Sequence, residues 1–201
     1  MNLFVRAARV LMDRIEGCGC EDGAITIARN HDARVCPYER GVPLEAEHGG
    51  RIAQFVTGSP VEARVRITML QGAPLSGERE RSAAGAVLNA VTGFFGFSRR
   101  LGGCADEDRP ACLGRLAEET AGCRVFLVGP SPVLEHRLGD RLAATPEEAD
   151  LLLVLGHGLV TDAGLAAVEG SAGVRRVLML GPSTAGVATL LECSHWCPYG
   201  R

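Results

Sequence analysis

The last nine residues of the chain read Cys193-Ser194-His195-Trp196-Cys197-Pro198-Tyr199-Gly200-Arg201. Two thiols, an imidazole, the single tryptophan and a tyrosine thus crowd a segment of a kind that ordinarily frays. The Cys-Pro-Tyr-x-Arg pattern of the tail occurs once before, at Cys36-Pro37-Tyr38-Glu39-Arg40, and both tyrosines of the protein sit in these two segments. Soft thiolates with an imidazole suit Zn, Fe or an iron-sulfur cluster. A proline after a cysteine removes one N–H and stiffens the turn that aims the sulfur. Cys18-x-Cys20 forms another closely spaced pair. The candidate metal ligands are therefore Cys18, Cys20, Cys36, Cys193, His195 and Cys197, with Cys36 and Cys197 expected in one site, within a chain or across a dimer axis. Cys104, Cys112 and Cys123 read as core or boundary residues, because unpaired cysteine is among the most buried residue types.

Three apolar runs in the second half, Cys123 to Pro132, Ala149 to Gly158 and Val174 to Thr184, each stop at a glycine. Fully apolar strands alternating with helical stretches mark a parallel sheet covered on both faces, whose ligands bind beyond the carboxyl ends of the strands. A fourth short strand fits near Arg141 to Ala144. The turns after the long runs offer Gly129, Gly156, Gly181, Pro182, Ser183 and Thr184 as a wall for a small anion, with backbone N–H groups and hydroxyls. His157 stands on one of these turns as a candidate general base, and Asp162 is placed to orient it or to cap a helix. No G-x-G-x-x-G follows the first strand, which argues against NAD. All 21 basic residues are arginine, so no lysine exists for a PLP Schiff base or a phosphate loop.

The first half must position these groups. Phe4, Val5, Ala8, Leu11, Met12 and Ile15 recur at helical spacing over residues 3 to 16. Ala24 to Asn30 reads as a short strand, and Val61 to Leu70 alternates like a half-buried one. Residues 31 to 60 read as a long loop broken by a short element around Ile52 to Val56. Ser76 is the expected cap of an Ala-rich helix whose one amide, Asn89, either faces a pocket or caps. The segment from Ser98 to Cys112 marks a boundary, giving an α+β region over residues 1–103 and a Rossmann-like domain over 104–201. The fold class is α/β, with the small α+β part packed on the parallel-sheet domain.

Composition narrows the partners. A net charge of -3 leaves no basic footprint for nucleic acid. The charged opening helix is no export signal and no apolar run reaches spanning length, so a cytoplasmic protein without a membrane partner is expected. Eight cysteines in that compartment read as thiols or ligands.

The segments Ala83 to Val91, Ala149 to Leu165 and Val177 to Thr184 together resemble the putative heavy-metal-chelation domain family, a group of uncharacterised archaeal and bacterial proteins, over roughly residues 80 to 190. Gly85, Ala86, Asn89 and Ala90 match its helix segment, and Gly181, Pro182, Ser183 and Thr184 match its Gly-Pro-Ser-Thr motif in full. Where the family carries neutral Thr-Gly-Thr and Asn-Gly-Thr, this chain has Leu155-Gly156-His157 and Thr161-Asp162-Ala163. The resemblance implies an enolase N-terminal-type domain against a Rossmann-like domain with a cleft between them. Three functions are compatible with these residues: a soft-metal protein with an anion site, an enzyme using His157 on a small anionic metabolite, and a non-catalytic subunit that docks through its Cys-Pro-Tyr tail.

Overall fold

The computed structural model describes residues 2–171 and 176–201. Helix α1 (Leu3–Ile15) opens on Asn2, whose side-chain oxygen accepts from the Val5 N–H at 2.9 Å. It buries Leu3, Phe4, Ala7, Ala8, Leu11 and Ile15, the stripe that its periodicity announces. Strands β1 (Ala24–Arg29), β2 (Val42–His48), β3 (Arg51–Thr57) and β4 (Ala63–Arg66) form an antiparallel sheet in the order β3-β2-β1-β4. The long loop expected over residues 31–60 is therefore half hairpin. Full register runs from Val42 opposite Thr57 to His48 opposite Arg51, closed by Gly49 and Gly50 at positive φ. Its polar side chains masked the alternation, because one face of β2 carries Glu45 and Glu47. The expected strand at Val61 to Leu70 is shorter, since Ile67–Leu70 tighten into a 3-10 turn.

Helix α2 (Glu78–Phe94) crosses this sheet. The Glu80 carboxylate, rather than Ser76, closes its start, accepting from the Ser76 and Gly77 N–H groups at 2.9 and 3.2 Å. Helix α3 (Arg109–Glu119) leads into the second sheet, in which β5 (Val125–Val128), β6 (Leu151–Val154), β7 (Arg176–Leu180) and β8 (His195–Trp196) run parallel in chain order. Between them lie α4 (Pro132–Leu138), α5 (Gly156–Val160), α6 (Asp162–Gly170) and α7 (Ala185–Leu190). Val174, where the third apolar run starts, and Arg175 lie outside the described residues. The short strand expected near Arg141 is reduced to one bridge, Leu142 beside Val125.

The chain is thus α/β, with an α+β first part and a parallel sheet in the second. One hydrophobic cluster reaches from Leu3 on α1 through Leu88 on α2 to Leu190 on α7, so both sheets are joined by a shared core. Among the described residues no helix is long and apolar enough to cross a membrane.

Candidate functional site

The tail is folded. Met179 donates to the Ser194 carbonyl and Gly181 to the Trp196 carbonyl, which docks β8 on β7 at the sheet edge. Farther on, Arg201 pairs with Gly102 in both directions, its carbonyl accepting from Leu101 and Gly102 at 2.7 and 2.6 Å and its N–H donating to Gly102 at 3.1 Å. Leu101 in turn accepts from the Gln54 N–H of β3, so the tail is tied to the first sheet as well. Arg115 of α3 lies over the Trp196 and Tyr199 rings, 5.9 Å from each centroid.

This docking brings the two Cys-Pro-Tyr segments together. Cys36, Pro37 and Tyr38 line one small pocket with Trp196, Cys197, Pro198, Tyr199 and Gly200, and Gly181 and Pro182 form its floor at the end of β7. Two further thiols complete it: Cys104, from the segment before α3, and Cys112, on α3. All four cysteines are buried and free. The Tyr38 hydroxyl donates to the Cys112 sulfur at 3.4 Å. The space left between these groups is about 10 Å³, near the room that one water-sized guest needs.

Beside the pocket, Glu39 is 3% exposed and neither of its carboxylate oxygens has a hydrogen-bond partner. Burial lifts its pKa from 4.5 to about 7, while the Ser183 hydroxyl and the N–H groups of Ser183 and Gly156 pull more weakly the other way. Burial also raises the Cys197 thiol to about 12 and the Cys36 thiol well above its ordinary value, with the Glu39 charge adding to both. Cys104 is raised by burial and by Cys112. By themselves these sulfurs are neutral thiols, and only a nearby cation would reverse that balance.

The structure brings together Cys36 and Cys197 of the expected ligands and leaves the others elsewhere. Cys18 and Cys20 lie on the loop after α1. Cys193 is half-buried against the shared core, its sulfur donating to the Leu191 carbonyl at 3.7 Å. His195 Nε2 sits 3.0 Å from the Gly181 carbonyl, and burial lowers its pKa. Among the described residues no group of three or more His, Cys, Asp or Glu side chains stands ready to hold one metal ion. Arg40 bonds the Pro37 and Glu39 carbonyls of its own loop.

The strand-end groups are committed within the chain. Asn89 Nδ2 donates to the carbonyls of Gln54, Pro182 and Ser183 at 2.8, 3.1 and 3.3 Å, and its Oδ1 accepts from Gly186 at 2.7 Å. The Ser183 hydroxyl accepts from Val56 at 2.8 Å, and Thr184 donates to the Gly181 carbonyl at 3.1 Å. Gly181 takes φ +84, a left-handed turn that presents its backbone to Glu39 and Cys36. The wall expected to receive a free anion thus faces the chain's own Glu39. Gly129 and Gly156 make close backbone passages, where a Cβ would meet Gly158 and Ser183.

His157 and Asp162 have separate partners. His157 Nδ1 accepts from the Gly58 N–H at 2.8 Å, which leaves the proton of the neutral ring on Nε2. Asp162 accepts from Arg81 at 2.6 Å, and that buried guanidinium also bonds the Val160 and Ser76 carbonyls. A larger cavity of about 280 Å³ lies between Met69, Leu75 and the α2 face at Val87, and neither His157 nor Asp162 lines it. Its polar rim is engaged, Glu80 at the start of α2 and Arg66 with Asp22.

Sequence reasoning read Cys104 and Cys112 as core or boundary residues, and both are buried, but it did not place them beside Cys36 and Cys197, and it passed over Glu39, Gln54 and Arg81.

No protein-family model matches the chain and no curated protein matches it. Among solved structures it is similar to the crystal structure of a protein of unknown function from the DUF364 family of Pyrococcus horikoshii. The TM-score is 0.51 at 13% identity, over 90% of this chain and 79% of that one. This likeness is one of fold, shared with an uncharacterised family, and it assigns neither metal chelation nor any activity.

Proposed function

We propose that this protein holds a soft metal centre, a Zn or Fe ion or a small iron-sulfur unit, on Cys36, Cys104, Cys112 and Cys197. The observation that carries this reading is the convergence of four thiols from four separate chain segments on one small pocket. A hydrophobic core has no use for that many sulfurs at one point when Leu and Val would bury more apolar area. Four sulfur donors match the preference of Zn and of iron-sulfur units. A cation there supplies the charge that makes these buried thiols release their protons, so affinity rises with pH as each ligand deprotonates. Tyr38 holds the Cys112 sulfur by its hydrogen bond, and the two prolines stiffen the turns that carry Cys36 and Cys197. When bound, the centre cross-links the tail, the loop between β1 and β2, and α3 with the segment before it.

The test is an anaerobic titration with Cd(II), followed by its thiolate charge-transfer absorption, and reconstitution with iron and sulfide under the same conditions. The wild type is expected to take up stoichiometric metal, a Cys36→Ser/Cys197→Ser variant to lose it, and a Cys18→Ser/Cys20→Ser variant to keep it. Equal uptake by the first variant, or none by the wild type, overturns the reading. Sulfide bound in the reconstituted protein separates a cluster from a single ion.

A further inference from the structure

The Cys18-Gly19-Cys20 loop lies outside the four-thiol pocket and takes no part in the function proposed above. It follows the end of α1, where Cys18 donates its N–H to the Ile15 carbonyl at 3.1 Å. Cys18 is exposed and Cys20 partly so, whereas Cys36, Cys104, Cys112 and Cys197 are buried and Cys123 and Cys193 lie on other loops. Each of the two sulfurs touches the backbone of the other residue. The Cys20 N–H donates to the Cys18 sulfur at 3.3 Å, and the Cys20 sulfur donates to the Cys18 carbonyl at 3.8 Å.

The loop is shaped by its own glycines rather than by packing. Gly17 and Gly19 take φ +75 and +78, and a Cβ on either would meet nothing within 4 Å. Left-handed Gly19 folds the chain so that residues 18 and 20 lean on one another. A disulfide needs a narrow separation and torsion. An unpacked loop reaches them without moving the core.

We propose that Cys18 and Cys20 form a reversible intramolecular disulfide by exchange with a small-molecule disulfide such as oxidised glutathione. The Cys18 thiolate, the more exposed of the two, attacks one sulfur of the reagent. This forms a mixed disulfide and expels one glutathione thiolate, which takes up the proton that Cys18 lost. The Cys20 thiolate then attacks the Cys18 sulfur, closing the Cys18–Cys20 bond and expelling the second glutathione, again protonated. The pair is oxidised by two electrons, and the reagent is reduced to two thiols. The short loop, in which each sulfur already lies against the backbone of the other residue, favours the second step over persistence of the mixed disulfide. The loop end of α1 becomes a closed ring in the oxidised state and opens again in reduced glutathione.

The experiment incubates the full-length protein with oxidised glutathione, traps remaining thiols by alkylation, and maps peptides by mass. Wild type is expected to lose both alkylatable thiols of this peptide while retaining no glutathione, and reduced glutathione restores them. The Cys18→Ser and Cys20→Ser variants, exposed changes that leave the core untouched, are each expected to retain one glutathione on the remaining sulfur. The proposal is overturned by stable glutathione on the wild-type pair, by bonding of either cysteine to a third one, or by wild-type thiols that stay free under conditions that modify the variants.

Discussion

Asn89 decides whether the strand-end motif is a clamp between the two sheets or a ligand site, and its replacement by alanine is the sharpest test. The amide satisfies Gly186, an orphan N–H in the first turn of α7, and the Gln54 carbonyl, which points away from the β2 partner strand. The Pro182 carbonyl keeps a second partner in the Ala185 N–H. Asn89→Ala thus strands one buried donor and one buried acceptor and takes a long, 3.3 Å bond from the Ser183 carbonyl; at a cost of roughly 1–3 kcal/mol for each stranded group, the loss is about 4 kcal/mol. That is a large part of a typical domain's stability. Urea unfolding followed by far-UV circular dichroism measures it, with the denaturant slope checked for two-state behaviour. Asn89→Asp refines the test, because one carboxylate oxygen still accepts from Gly186 while the other faces three carbonyl oxygens and must carry a proton. Its native pKa is thereby raised, so this variant is most stable in acid and loses stability as pH rises through that value. A loss under 1 kcal/mol for alanine, or an aspartate variant without pH dependence, would refute the clamp.

Glu39 gives a second pH-dependent prediction. Its folded pKa of about 7 lies above the ordinary 4.5, so the stability it contributes is present in acid and lost as pH rises through about 7. Metal-free Glu39→Gln should match wild type near pH 4 and exceed it by up to about 3 kcal/mol above pH 8, since each pKa unit is 1.36 kcal/mol; a difference that does not vary with pH in urea melts contradicts the buried, unpartnered carboxylate. Gly158→Ala would drive a methyl into the Val128 carbonyl where α5 crosses the end of β5. Its thermal midpoint should fall by several degrees, in line with a loss of about 2–3 kcal/mol, and an unchanged midpoint would mean that this passage is looser than described.

The sequence by itself determined the elements whose signal is local. The opening helix follows from its apolar stripe, and strands β5, β6 and β7 follow from apolar runs that end in glycine. Arginine-only basicity ruled out lysine chemistry without any structure. The repeated pentapeptides raised the idea that Cys36 and Cys197 lie near one another, and both line the same small pocket. Only the tertiary structure decided which other thiols join them, because Cys104 and Cys112 reach the pocket by docking of α3 and its preceding segment, and nothing in their spacing encodes that approach. It likewise turned residues 42–57 into a hairpin, where sheet pairing outweighed a polar sequence with weak alternation. Asn89, His157 and Asp162 illustrate the same limit: their residue types allow catalysis or binding, but the groups that meet them in space, Gly186, Gly58 and Arg81, come from 97, 99 and 81 positions away in the chain. Partners at such separations are chosen by the packing of the whole core, and local sequence carries no record of them.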